Sequence, residues 1–235
     1  MKRLALKLFG KIANFFQKSK EPSSSGVVSY AQEGEDLLLC RLLKKTDKGF
    51  YVDIGAHDPV RYSNTNLFHL KGWTGINVDA SVESIQRFQS TRPRDINLCF
   101  AVSSMSGEHE MFIFEEGALT TGSAELAEKY QRAGWKLIGK RKVKSITLAK
   151  LFDAHLPEDV RISFLSIDIE GLDLEALQGN DWTKRRPEIV LIEILDFHLD
   201  DCCSDPIVKF MRTHEYELVS KTLNTAFFRD TRQSI

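Results

Sequence analysis

No apolar run in the 235-residue chain approaches the roughly 18 residues that a membrane-spanning helix needs, so the sequence predicts a soluble or peripheral protein. Charge of one sign is also missing. The 32 lysines and arginines meet 33 aspartates and glutamates, a formal net charge of −1, which gives no electrostatic case for nucleic acid as a partner. Cysteine is scarce: Cys40, Cys99, Cys202 and Cys203 form no C-x-x-C pair and fit a reducing, cytoplasmic compartment as small core residues or exposed bystanders. The histidines His69, His109, His155, His198 and His214 show no metal-ligand spacing, and no internal repeat is visible. The most informative absence is the G-x-G-x-x-G fingerprint, whose three glycines seat a dinucleotide pyrophosphate at a helix N-terminus.

What stands in its place is Phe50-Tyr51-Val52-Asp53-Ile54-Gly55-Ala56-His57. The aromatic and β-branched half reads as a strand buried on both faces of a parallel sheet. The small residues Gly55 and Ala56 are expected to let backbone N–H groups approach a ligand, with Ser63 and Asn64 capping the next helix. A carboxylate at such a corner repels a pyrophosphate and attracts the ammonium and sulfonium of S-adenosylmethionine, although Asp-x-Gly also occurs in plain turns.

At 42% hydrophobic residues, the chain can bury one substantial core, and we divide it into residues 1–26 and a domain over 27–235. Residues 1–18 place Leu4, Leu8, Ile12, Phe15 and Phe16 at helical spacing, with Lys7, Lys11, Asn14 and Lys18 on another face. This basic amphipathic helix suits the surface of an anionic membrane, docking on the protein's own core, or a targeting segment. Pro22-Ser23-Ser24-Ser25-Gly26 reads as a flexible linker.

Further along, Ser29 or Gln32 is expected to help begin a helix over Leu37–Leu43. A second buried strand, Trp73–Val78, ends at Asp79, 24 positions beyond Gly55, where a carboxylate accepts hydrogen bonds from ribose hydroxyls. Ala80 and Ser81 follow, with Ser81 as the N-cap of the next helix. Asn97–Val102 reads as a third strand, and Ala101-Val102-Ser103 either passes beside an adenine or merely ends that strand. Glu110–Phe114 makes an extra strand, Glu116–Gly139 an irregular lid or insertion over the pocket, and Lys136, Lys140, Arg141, Lys142 and Lys144 the guarded edge of a strand or a contact for a phosphate-bearing substrate. Ile162–Ile167 ends in Asp168, Glu188–Leu195 brings Glu193 to the same rim, and Tyr216–Lys221 with Ala226–Arg229 closes a hairpin. Because ligands lie at the carboxyl ends of parallel strands, Asp53, Asp79 and Asp168 are expected to converge on one crevice.

At Tyr51–His57, Gly72–Ala80 and Ser166–Gly171, and upstream at Gln32-Glu33-Gly34-Glu35-Asp36, the chain resembles the FkbM family of S-adenosylmethionine-dependent methyltransferases. The resemblance implies an α/β, Rossmann-like methyltransferase fold, a mostly parallel seven-stranded sheet with a C-terminal antiparallel hairpin. It also implies methyl transfer to an oxygen, often a sugar hydroxyl of a polysaccharide or glycosylated metabolite. Asp58 stands where relatives often carry a second histidine. The cofactor-binding set read here is Gln32, Asp53, Gly55, Ala56, His57, Asp79, Ala80, Ala101, Val102 and Asp168, with S-adenosylmethionine as the cofactor.

A hydroxyl nucleophile needs a group to take its proton, and Asp168 is the first choice of base, followed by Glu193 and His57. In a second version Asp168, Glu170 and Glu193 bind Mg²⁺ through oxygen; Glu170 otherwise only complements a helix N-terminus. The rivals are a dinucleotide-dependent oxidoreductase, which the missing glycines disfavour, and a non-catalytic, membrane-tethered binding protein. The partner expected is a small-molecule or glycan acceptor in the cytoplasm, with peripheral membrane contact through residues 1–18.

Overall fold

Runs of alternating or continuous apolar residues become the strands of the computed structural model, which describes residues 26–232. The basic helix expected at 1–18 and nearly all of the linker lie outside the described residues. In chain order the strands are β1 (Phe50–Ile54), β2 (Thr74–Asp79), β3 (Ile96–Cys99), β4 (Ala101–Val102), β5 (Gly107–Phe114), β6 (Leu137–Ile146), β7 (Ile162–Ile167), β8 (Ile189–Glu193), β9 (Tyr216–Lys221) and β10 (Thr225–Asp230). The helices are α1 (Glu35–Leu42), α2 (Asn66–Leu70), α3 (Val82–Thr91), α4 (Ala124–Arg132), α5 (Leu148–His155), α6 (Asp173–Gln178) and α7 (Pro206–Thr213). Among the described residues no helix is long and apolar enough to cross a membrane.

Seven strands form the main sheet in the order β3-β2-β1-β7-β8-β10-β9. The five from β3 to β8 run parallel, and β10 pairs antiparallel with both β8 and β9. The chain builds outward from β1 to β3, then returns to the other side of β1 with β7. That reversal leaves a crevice at the carboxyl ends of β1 and β7. Strand alternation sorts the core into two layers. Val52, Ile54, Leu165 and Ile167 pack with Leu148, Leu151 and Phe152 of α5 and with Val208 and Met211 of α7. Tyr51, Phe164, Leu191 and Phe227 face the other way, against Leu39 of α1 and Phe68 of α2.

The expected third strand divides at Phe100. Asp79 opposite Cys99 is the last pair that β2 offers; the Phe100 N–H then bonds Asp79 O at 3.1 Å, and the chain leaves the main sheet. Ala101–Val102 pairs instead with Ser145–Ile146, in a second sheet of order β4-β6-β5. Glu116–Gly139 is an insertion built of regular elements rather than an irregular loop. It holds a 3-10 turn at Gly117–Leu119, the helix α4 and the first residues of β6. Ser123 caps α4 by accepting from Leu126 N at 3.2 Å, Glu125 lies in its first turn, and Lys129 and Arg132 complement its last. The lysines of β6 do stand on an open edge, since β4 covers only its last two residues. Lys140 pairs with Glu110 at 3.0 Å and Lys142 with Glu108 at 3.9 Å; such exposed pairs add little stability.

At the start of the domain, Gly34 (φ 84) begins α1 without a side-chain cap. Ser29 acts from outside, donating to Asp36 Oδ1 at 2.6 Å. Glu33 and Glu35 accept from Asn224 N and Thr225 Oγ1, at 2.9 and 3.1 Å, which docks this motif on the β9–β10 turn.

Candidate active site

A cavity of roughly 310 Å³ opens at the carboxyl ends of β1, β2 and β7, roofed by the second sheet. Its walls include Gly55, His57, Asp79, Ala80, Arg87, Met111, Ile113, Ile138, Arg141, Asp168 and Glu170. Asp79 is fixed at both oxygens: Oδ1 accepts from Ser81 N at 2.7 Å and Oδ2 from His57 N at 2.8 Å. Burial raises its pKa, and the two amides oppose that rise. A carboxylate so held keeps acceptor capacity for a pair of vicinal hydroxyls. A small apolar recess beside it is lined by Phe100, Ala101, Val102, Met111 and Leu172.

Three expectations at this corner change. The Gly55 and Ala56 N–H groups do not face a ligand, because both donate to Val78 O, at 2.9 and 3.0 Å. Gly55 is needed for close packing instead: at φ 80, an added Cβ would lie 1.7 Å from Asp168 O. Asp53 does not open on the cavity. Alternation along β1 turns it to the Tyr51 face, where it is buried and accepts from Thr65 Oγ1 at 2.9 Å. Burial pushes its pKa up to about 6. From beneath the floor its charge still acts on Asp168, and Asp79 in turn raises the pKa of Asp53. Gln32 is exposed, and among the described residues its side chain makes no hydrogen bond.

His57 stands with Asp79 rather than with Asp168. Its backbone takes φ 53, held by the Asp79 bond and by Ser84 Oγ and Arg87 Nη2 donating to its carbonyl. Burial lowers its pKa, which favours the neutral ring. Asp58 makes a turn, accepting from Val60 N and Arg61 N, both at 2.9 Å.

At the other end of the cavity the strand order brings acids together. One carboxylate oxygen each from Asp168, Glu170 and Glu193 lie within 4.8 Å of one another. Sequence reasoning missed two residues that hold this cluster: Tyr130 of α4, whose hydroxyl donates to Glu170 Oε2, and Asp173, which accepts from Ile169 N and Gly171 N at 3.2 Å each. The Leu126, Ala127 and Tyr130 spacing after Ser123 was the signal for the first. Burial raises all four carboxyl pKa values, with Asp173 at about 7. Asp168 is raised further by Glu193 and Glu170. Glu193 is pushed up to about 8 by burial, then by Glu170 and Asp173. It shares a hydrogen bond with Asp168, and its Oε2 is buried with no partner among the described residues. Two carboxyls in contact hold one proton between them because both cannot ionise cheaply.

That proton fixes the sign of a stability effect. Below about pH 4.5 folded and unfolded chains both hold it and Glu193 costs nothing; between there and about pH 8 only the folded chain does, so stability falls as pH rises. Glu193→Gln removes the penalty. Thermal melts should show the variant more stable than the parent at about pH 8, by the order of 1–3 kcal/mol, and equal to it near pH 4.5.

A sheet of five parallel strands closed by an antiparallel hairpin, with a fixed carboxylate after β2 and acids after β7 and β8, defines a Rossmann-like methyltransferase. Residues 53–218 match the model of the methyltransferase FkbM domain, and the chain belongs to that family. No curated protein matches it. Among solved structures it is similar to a precorrin-6y C5,15-methyltransferase from Geobacter metallireducens GS-15, at 11% identity and a TM-score of 0.38, over 88% of this chain and 93% of that one. Family membership implies use of S-adenosylmethionine. The donor set fits that molecule: Asp79 suits a ribose diol, the apolar recess a flat base, and the acids near Asp168 a cationic centre.

Proposed function

We propose that the protein transfers a methyl group to a hydroxyl oxygen of a sugar, in a glycan or a glycosylated metabolite. The observation that carries this reading is the Asp168–Glu193 pair beside Glu170 at one end of the crevice, a proton acceptor where a weakly acidic hydroxyl would enter. S-adenosylmethionine, when bound, supplies an electrophilic methyl on a sulfonium. The chain's own residues do the rest. Asp79 and the recess at Ala101 and Val102 hold and orient the donor, and the second sheet excludes water. Asp168 takes the hydroxyl proton, and Glu193, with its high proton affinity, shares it. Turnover therefore depends on the ionised pair and rises with pH through the neutral range.

The experiment is incubation with S-adenosylmethionine labelled in its methyl group and a glycan extract from the source organism. Label recovered in saccharide is expected; label in protein or lipid alone would reject the acceptor class. A second reading places Mg²⁺ among Asp168, Glu170 and Glu193, whose oxygen ligands and spacing suit it. It requires that EDTA abolish turnover and Mg²⁺ restore it, whereas the proton-transfer reading requires indifference to EDTA. We also place the enzyme in the cytoplasm, with the basic residues of 1–18 supporting peripheral contact with the inner face of the membrane.

A further inference from the structure

The loop from β8 to α7 leaves the sheet directly after Glu193 and is tied to α4 by an Asp196–Lys129 ion pair at 3.3 Å. Farther along this loop stand two adjacent free thiols, Cys202 half-buried and Cys203 exposed. Arg212, in the last turn of α7, directs Nη1 to Cys203 Sγ at 3.0 Å. Among the described residues that is the only hydrogen bond of its guanidinium. A cation beside a solvent-accessible sulfur stabilises thiolate over thiol, which is the reactive form. The surroundings act in the same direction: the Arg212 bond and the Cys202 thiol lower the Cys203 pKa, whereas Cys202 is raised by burial and by its neighbour. Neither of the other two cysteines shares this setting. Cys99 is half-buried, with its pKa raised by burial and then by Asp79; Cys40 has a cation at the same distance, Lys71 Nζ at 3.0 Å, but is half-buried and has no adjacent thiol.

We infer that Cys203 is a peroxide-reactive site and that Cys202 resolves it to a vicinal disulfide. The Cys203 thiolate attacks one oxygen of a hydroperoxide; the O–O bond breaks, an S–O bond forms, and hydroxide or alkoxide leaves and is protonated. The Cys202 sulfur then displaces the sulfenic oxygen as water, so that two thiols are oxidised and the peroxide is reduced. The eight-membered ring joining neighbouring residues is strained, and strained disulfides are readily reduced, which makes the modification reversible.

The test uses the full chain and hydrogen peroxide at one equivalent, read by mass on the tryptic peptide 186–209, whose only cysteines are Cys202 and Cys203. The expected product lacks two hydrogens and is restored by dithiothreitol. Cys202→Ser should stop at a sulfenic acid on Cys203 that dimedone traps. Arg212→Gln should slow oxidation at neutral pH by about 3–10-fold, following the loss of thiolate. Oxidation of Cys203 no faster than that of Cys40, or a rate indifferent to Arg212, would overturn the assignment. None of these readouts needs turnover, so they stand or fall separately from the methyl-transfer reading.

Discussion

Changing Asp168 to Asn is expected to lower turnover by about 10²–10⁴-fold, the range over which a positioned proton acceptor accelerates a reaction. The substitution keeps the shape and the Asp168 N–H bond to Ile54 O at 3.0 Å, so β1 and β7 stay joined. It also removes one charge from a group of buried acids, so the melting temperature should hold or rise at neutral pH. Binding of S-adenosylhomocysteine, which lacks the sulfonium charge, should change little. The decisive measurement is single-turnover rate at saturating donor and acceptor. Parent-like rates there would take the proton from Asp168 and leave Glu193 as the base.

Gly55→Ala is expected to damage the fold rather than the chemistry. The new methyl would sit 1.7 Å from Asp168 O and 2.8 Å from Asp168 C, both backbone atoms of the neighbouring turn, which cannot rotate away. The positive φ adds strain, and together overpacking and strain cost on the order of 3–5 kcal/mol. Gly72→Ala is the control: its φ is 89, yet nothing lies within 4 Å of an added Cβ, so about 1 kcal/mol is expected. Urea denaturation of the two variants separates the contributions. Equal midpoints would mean that conformation alone matters at Gly55 and that the strands are not in such close approach.

Much of this was legible in the chain because parallel strands are buried on both faces and announce themselves as apolar runs. The ends of β2, β7 and β8 followed from Asp79, Asp168 and Glu193, acids that interrupt such runs. Asp53 misled because it is an acid one residue before its strand ends; in a strand one residue decides the face, and the Tyr51 face took it. Gly55 and Ala56 misled differently. Small residues mark a close approach of backbone, but the sequence does not say whether ligand or protein approaches. The break at Phe100 depends on where β2 runs out of partners, which is a property of another strand. Tyr130 serves the acid cluster by tertiary packing, 40 residues from Glu170, whereas Asp173 closes the local turn around Glu170 by accepting from Ile169 N and Gly171 N.

The departure at Phe100 has a wider meaning. From Ala101 to Ile146 the polypeptide builds its own small sheet and then rejoins the platform at Thr147, the cap of α5. The acids after β7 and β8 belong to the platform, while the hood that frames the entrance is one uninterrupted piece of genetic text. Lineages can therefore redraw most of the hood to admit a different guest, provided that Tyr130 and Thr121 keep their grip on Glu170.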